Sequence, residues 1–238
     1  MLALVGSGEY LPAMEPVDRE LMRRLADPPR VICLPTAAGQ EGPERIGYWS
    51  QLGVEHFTRL GAQVQALPVI DRASAHDGEL ARTVAGANFV YLSGGKPDYL
   101  HKTLAGSPVW SAIESVLARG GLLAGCSAGA MIMGEKILGF PVLNLKPGFN
   151  YLPGIVIMPH YDEISQHMRT LVHTLTGPKR ILVGIEGNTA LVVSDTRLEV
   201  LGSGGVTVWN RSAPARYPEG PLPVSLAVRH QAGQPSVV

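Results

Sequence analysis

The chain has 238 residues, 45% hydrophobic and 17% charged, with 20 Lys plus Arg balanced by 20 Asp plus Glu. This composition supports a sizeable core and excludes a disordered chain. The zero formal charge argues against nucleic acid or an anionic membrane as main partner. Two cysteines, Cys33 and Cys126, cannot make a disulfide framework. The apolar start at residues 1–5 is too short for a signal h-region, and no apolar run is long enough to span a membrane. A cytoplasmic protein is expected.

Residues 2–5 read as a buried strand leaving through Gly6-Ser-Gly-Glu-Tyr10. Position 11 is Leu11, so this exit is not a dinucleotide fingerprint. Residues 16–27 carry Leu21, Met22 and Leu25 at helical spacing. Residues 31–34 form a second buried strand, with Cys33 as inert core and Thr36 in its exit. In residues 43–60, Ile46, Trp49, Phe57 and Leu60 share a helical face. Gly53 falls on that face, and Gly61 ends the helix. Residues 64–70 alternate as a less buried strand, and 77–85 read as a helix. Residues 88–92 are a strand with exit Ser93-Gly-Gly95. Residues 98–104 and 109–119 are helical.

Residues 122–124 are an apolar strand, and residues 130–133 begin a helix. Residues 141–153 show no clear period. Residues 155–158 form a strand with exit Pro159-His-Tyr-Asp-Glu163, followed by a helix over 164–175. Residues 181–185 form a strand leading into Glu186-Gly-Asn188. Residues 190–193, 198–201 and 206–209 read as a terminal antiparallel group. The alternation predicts a doubly wound, mostly parallel α/β sheet flanked by helices, with a small antiparallel C-terminal addition. Residues 1–211 are expected as one domain, with 212–238 an extended tail packed on it. Ligands on such sheets bind beyond the carboxyl ends of the strands. That rule gathers Glu9, Thr36, Gly94, Gly95, Ser127, His160 and Glu186.

Gly125-Cys-Ser-Ala-Gly129 sits at a strand-to-helix junction and has the G-x-S-x-G form of a nucleophile elbow. The two glycines let strand and helix approach closely. The helix start offers free N–H groups and a positive dipole end to a developing oxyanion. A serine hydroxyl needs a base to act as nucleophile. His160, at a strand exit, is better placed than His167 or His173. The base needs an acidic partner: Glu186 is the first choice and Asp162 the second. The oxyanion hole would combine Ala128 with Gly94 or Gly95. No cofactor or metal is expected.

Ser93-Gly-Gly95, Gly125-Cys-Ser-Ala-Gly-Ala130, Pro159-His160 and Gly184-Ile-Glu-Gly-Asn-Thr-Ala-Leu191 resemble the cyanophycinase and aspartyl dipeptidase (dipeptidase E) family of serine peptidases. The resemblance implies a fold like the class I glutamine amidotransferases, with Ser127 as nucleophile and His160 as base. The region where the dipeptidase branch carries its acid is Phe140-Pro-Val142 here and holds none. The cyanophycinase branch places an acid in a segment similar to residues 184–191, which favours Glu186. Family members act beside aspartyl groups, so a cation should meet a carboxylate. Arg169 is similar to an arginine of the cyanophycinase pattern, and Lys96 and Arg180 are alternatives. Thr36 joins the expected substrate-binding group. Lys96-Pro97 departs from the polar pair that cyanophycinase-like chains tend to carry.

The expected function is hydrolysis of short or unusual, aspartyl-type peptides by a monomer or homodimer, with no nucleic acid and no membrane. The rivals are an esterase of α/β-hydrolase type using His230 with Asp195 or Glu199, and an inactive binding domain. Amidotransfer through Cys126 ranks below both.

Overall fold

The computed structural model describes residues 1–139, 144–194, 197–209, 213–229 and 235–237. The first part of the chain alternates strands and helices: β1 (Leu2–Val5), α1 (Glu15–Arg23), β2 (Arg30–Leu34), α2 (Pro43–Arg59), β3 (Gln63–Ala66), α3 (Arg72–Ala75), α4 (Gly78–Ala85), β4 (Phe89–Leu92), α5 (Pro97–Leu104), α6 (Pro108–Ala118), β5 (Leu122–Cys126) and α7 (Ala128–Met131). Helix starts carry local signals. Asp77 caps α4 and Ser107 caps α6 by accepting backbone N–H bonds. The remainder is richer in strands: β6 (Gly134–Leu138), β7 (Leu145–Pro147), β8 (Leu152–Met158), α8 (Gln166–Thr176), β9 (Ile181–Ile185), β10 (Thr189–Val193), β11 (Leu198–Gly202), β12 (Val206–Trp209), β13 (Pro214–Tyr217), β14 (Gly220–Pro221), β15 (Ala227–Arg229) and β16 (Pro235–Val237).

These strands build two large sheets. The first has eight strands in the order β14-β11-β10-β1-β5-β4-β2-β3. From β1 to β3 every neighbouring pair is parallel, and from β1 to β14 every pair is antiparallel. The expected mostly parallel sheet flanked by helices is therefore present. Its central strands β10, β1, β5 and β4 are buried on both faces, as covering by further layers requires. Ala3, Val5, Phe89 and Tyr91 join the core beneath α1 and α2. Leu2, Leu4, Val90 and Leu92 join the opposite core with α6. Gly53 has a reason on the α2 face: a Cβ there would lie 2.9 Å from Cys33 Sγ and 3.1 Å from the Tyr10 ring. Its absence seats α2 flush on β2.

The second sheet, β13-β12-β9-β8-β6-β7, differs from the expectation of one parallel sheet. β8 and β9 are parallel to each other but lie in this second sheet. The terminal antiparallel group also divides: β10 and β11 extend the first sheet, while β12 pairs with β9. Each segment is short and apolar, so periodicity finds the strand without saying which sheet it joins. Residues 213–229 are not merely extended. β13 and β14 add an edge to each sheet, and β15 lies near β8. No helix among the described residues is long and apolar enough to cross a membrane.

Candidate active site

The elbow is built as its glycines suggest. A Cβ on Gly125 would run into the backbone of Gly129, and one on Gly129 would lie 2.8 Å from the carbonyl oxygen of Leu92. Ser127 sits at φ 50° and ψ −104°, a strained backbone for an L-residue. Three backbone bonds hold it there. Its N–H donates to Val5 O at 2.9 Å, and its carbonyl accepts from Ala130 and Met131 at 3.1 and 3.0 Å. The helix behind it has only four residues, so its macrodipole is small. What it offers an oxyanion is the unbonded N–H groups of its first turn, beginning with Ala128.

His160 follows β8 with a left-handed backbone, φ 52° and ψ 35°. Its Nε2 lies 3.1 Å from Ser127 Oγ, within reach for a base. Its Nδ1 lies 3.3 Å from Glu163 Oε1. If Nδ1 carries the proton, Nε2 is free to accept one from the hydroxyl.

The carboxylates are arranged differently from expectation. Glu186 takes Arg216 in a bidentate pair, at 2.6 and 2.7 Å. That guanidinium holds the Glu186 carboxyl below its usual range. The pairing follows from topology: Glu186 directly follows β9, and the β12–β13 hairpin brings Arg216 beside it. Asp162, the second choice, accepts the Gly187 N–H at 2.8 Å. Glu163, three residues from His160 in the same exit, carried no role in the sequence reading, and the spacing alone could have raised it.

The glycine pair also divides. The N–H of Gly94 donates to the buried carboxylate of Glu9 at 2.8 Å and is not free for an oxyanion. Gly95, at φ 142°, remains. Its conformation and the Ala37 backbone 2.6 Å from where a Cβ would stand both demand glycine. The other oxygen of Glu9 accepts from Cys126 Sγ at 2.9 Å. Cys126 is fully buried, and burial followed by the nearby Glu9 charge pushes its thiol pKa well up. A buried neutral thiol is a poor nucleophile, so amidotransfer through Cys126 has no support.

A family model, peptidase family S51, matches residues 2–201. The chain belongs to peptidase family S51. It is thus in a family of serine peptidases, as the sequence resemblance implied. Among solved structures, a peptidase from an acI-B1 Actinobacterium is 34% identical with a TM-score of 0.83, and the match covers 92% of this chain and 93% of that one. A candidate peptidase E protein of Listeria monocytogenes EGD-e is 20% identical with a TM-score of 0.62, covering 84% and 97%, a likeness of fold. No curated protein matches.

The cations expected to hold substrate in this S51 peptidase have other contacts. Arg169 lies over the Tyr161 ring at 4.5 Å, and its Nη2 is 3.5 Å from Asp162 O. Arg180 pairs with Glu135 at 2.7 Å. Lys96 is exposed, with Nζ 3.4 Å from Gln40 Oε1. Thr36 is buried with its hydroxyl unpartnered. The esterase alternative relies on His230 and Asp195, which lie outside the described residues; Glu199 pairs with Arg24 at 2.9 Å. A pocket of about 250 Å3 opens at Ser127, His160 and Gly95. A larger depression, about 480 Å3, lies by Arg30 and Gln63 at the opposite ends of the parallel strands, and no serine, cysteine or histidine is among its described lining residues.

Proposed function

We propose that this S51 chain hydrolyses short peptides by acyl transfer through Ser127. Ser127 Oγ attacks the scissile carbonyl carbon while His160 Nε2 takes its proton. The N–H groups of Ala128 and Gly95 bind the oxyanion, and each such donor contributes about 3 kcal/mol to the transition state. His160 then protonates the leaving amine, whose C–N bond breaks to give an acyl-Ser127. Water, deprotonated by His160, releases the acid. Glu163 takes the orienting position at Nδ1, in place of Glu186.

The observation that carries this reading is the 3.1 Å approach of His160 Nε2 to Ser127 Oγ on a strained elbow. The pocket volume favours small substrates: it is below the roughly 300–1,000 Å3 of pockets that enclose drug-sized ligands. The test is reaction with a small fluorophosphonate, followed by peptide mapping. Labelling at Ser127 that is lost in His160→Ala is the expected result. An unlabelled wild-type protein that also cleaves no dipeptide or tripeptide in a panel would return the chain to the inactive binding-domain reading.

A further inference from the structure

The geometry points to an apolar side chain, next to the scissile bond, as the group this S51 peptidase selects. The inference rests on Ser127 being the nucleophile, and it departs from the aspartyl preference that the resemblance implies. The pocket beside Ser127 and His160 is walled by Met131, Leu138, Val156, Met158, Ile164 and Val172. Met131, Leu138, Val156, Met158 and Val172 come from α7, β6, β8 and α8, and Ile164 from the turn just before α8, so the wall is shared by the second sheet and the segments at its edge. Among the described lining residues, Ser127 and His160 supply the only polar side chains, and both stand at the reacting end.

A carboxylate placed in that pocket would lose its water and meet no cationic side chain among the described lining residues. Stripping an ionised group without a partner is strongly unfavourable. No lysine or arginine is among the described residues that line the pocket. Lys146 pairs with Asp98, and Arg169 and Lys96 have the contacts given above. An apolar side chain gains by the same burial. The volume of about 250 Å3 has room for one such side chain with its adjoining backbone. It suits leucine, methionine or phenylalanine.

The test uses three phosphonate probes on the full chain: a small ethyl fluorophosphonate, and matched aryl phosphonates carrying a leucine or an aspartate side chain. A parallel tripeptide panel carries leucine or aspartate on either side of the scissile bond, which identifies the side the pocket serves. The leucine probe is expected to label Ser127 on the order of 10- to 100-fold faster than the aspartate probe, the advantage that burying one large aliphatic side chain gives. Equal rates, or a faster aspartate probe, would overturn apolar selection and leave Ser127 as nucleophile. Labelling by the ethyl probe alone would do the same. If no probe labels Ser127 and no tripeptide is cleaved, the nucleophile reading falls and this inference with it. Ile164→Arg, with folding checked by its melting curve, places a cation at the half-buried rim and should narrow the leucine-to-aspartate ratio at least fivefold; an unchanged ratio counts against the pocket as selector.

Discussion

The two sheets each supply one reacting group, and they hold it by different means. Ser127 ends a parallel strand buried on both faces, its strained backbone fixed by three hydrogen bonds and two glycines that admit no side chain. His160 ends β8 of the second sheet in a left-handed turn, and its side chain is 41% exposed beside a Glu163 that is 63% exposed. The nucleophile is over-determined, whereas the base is held lightly across a seam between sheets. Strain at a functional site persists only where its surroundings enforce it, and here that enforcement falls on the serine.

The largest effects should come from the pair itself. Ser127→Ala should lower kcat by about 10⁴–10⁶-fold, and His160→Ala by a similar factor, because members of one catalytic unit are not additive. A His160→Ala protein keeping a tenth of wild-type kcat would mean that the second sheet does not supply the base. Next in size is Glu9, the buried carboxylate behind the elbow. Glu9→Ala strands the Gly94 N–H and the Cys126 thiol, and should lower stability by about 1–3 kcal/mol and kcat by at least tenfold. Glu9→Gln, whose carbonyl can still accept from Gly94, should recover part of both; thermal melts and kcat measured together check this.

Smaller effects separate the second sheet's carboxylates. Glu163→Gln should cost less than about tenfold in kcat, since exposed ion pairs contribute about 0–1 kcal/mol. Glu186→Gln should leave kcat within twofold. A hundredfold loss in the second variant would show that Glu186 leaves Arg216 for His160 during turnover. The Glu186–Arg216 pair also predicts a pH signature. Because Arg216 lowers the Glu186 pKa, the pair's stabilisation is full above the ordinary glutamate value of about 4.3. It is lost as pH falls through the lowered folded value. The Tm gap between wild type and Arg216→Ala should therefore be small but present at neutral pH and close in acid. A gap that widens in acid would contradict the assignment.

The same division explains what the sequence could reveal. The first sheet was legible because local signals sufficed: buried strands, glycine exits and an elbow with both glycines in place. Ser127 stands out in the sequence this way and His160 by its place at a strand exit of the second sheet, and the structure brings their side chains together. The second sheet was less legible. β8 and β9 look from sequence like further parallel strands, and β6 hides in the segment after the elbow. Glu186 stands out in the sequence for following an apolar strand, but its partner is Arg216, 30 residues away across a hairpin. That pairing is a tertiary fact without a local signature. Gly94 failed as an oxyanion donor for the same reason, because Glu9 reaches it across 85 residues.

The buried thiol of Cys126 has a practical consequence. Side chains alternate across a strand, so the residue beside the nucleophile points into the core with its S–H on Glu9. Cys33, the other cysteine, is buried too, and its pKa is pushed up to about 12. With both thiols neutral and out of reach, the native enzyme should keep full activity in iodoacetamide, and mass spectrometry should find no cysteine adduct until denaturant is added. The carboxylate that ties down the loop beside the serine thus also keeps the neighbouring thiol out of the chemistry.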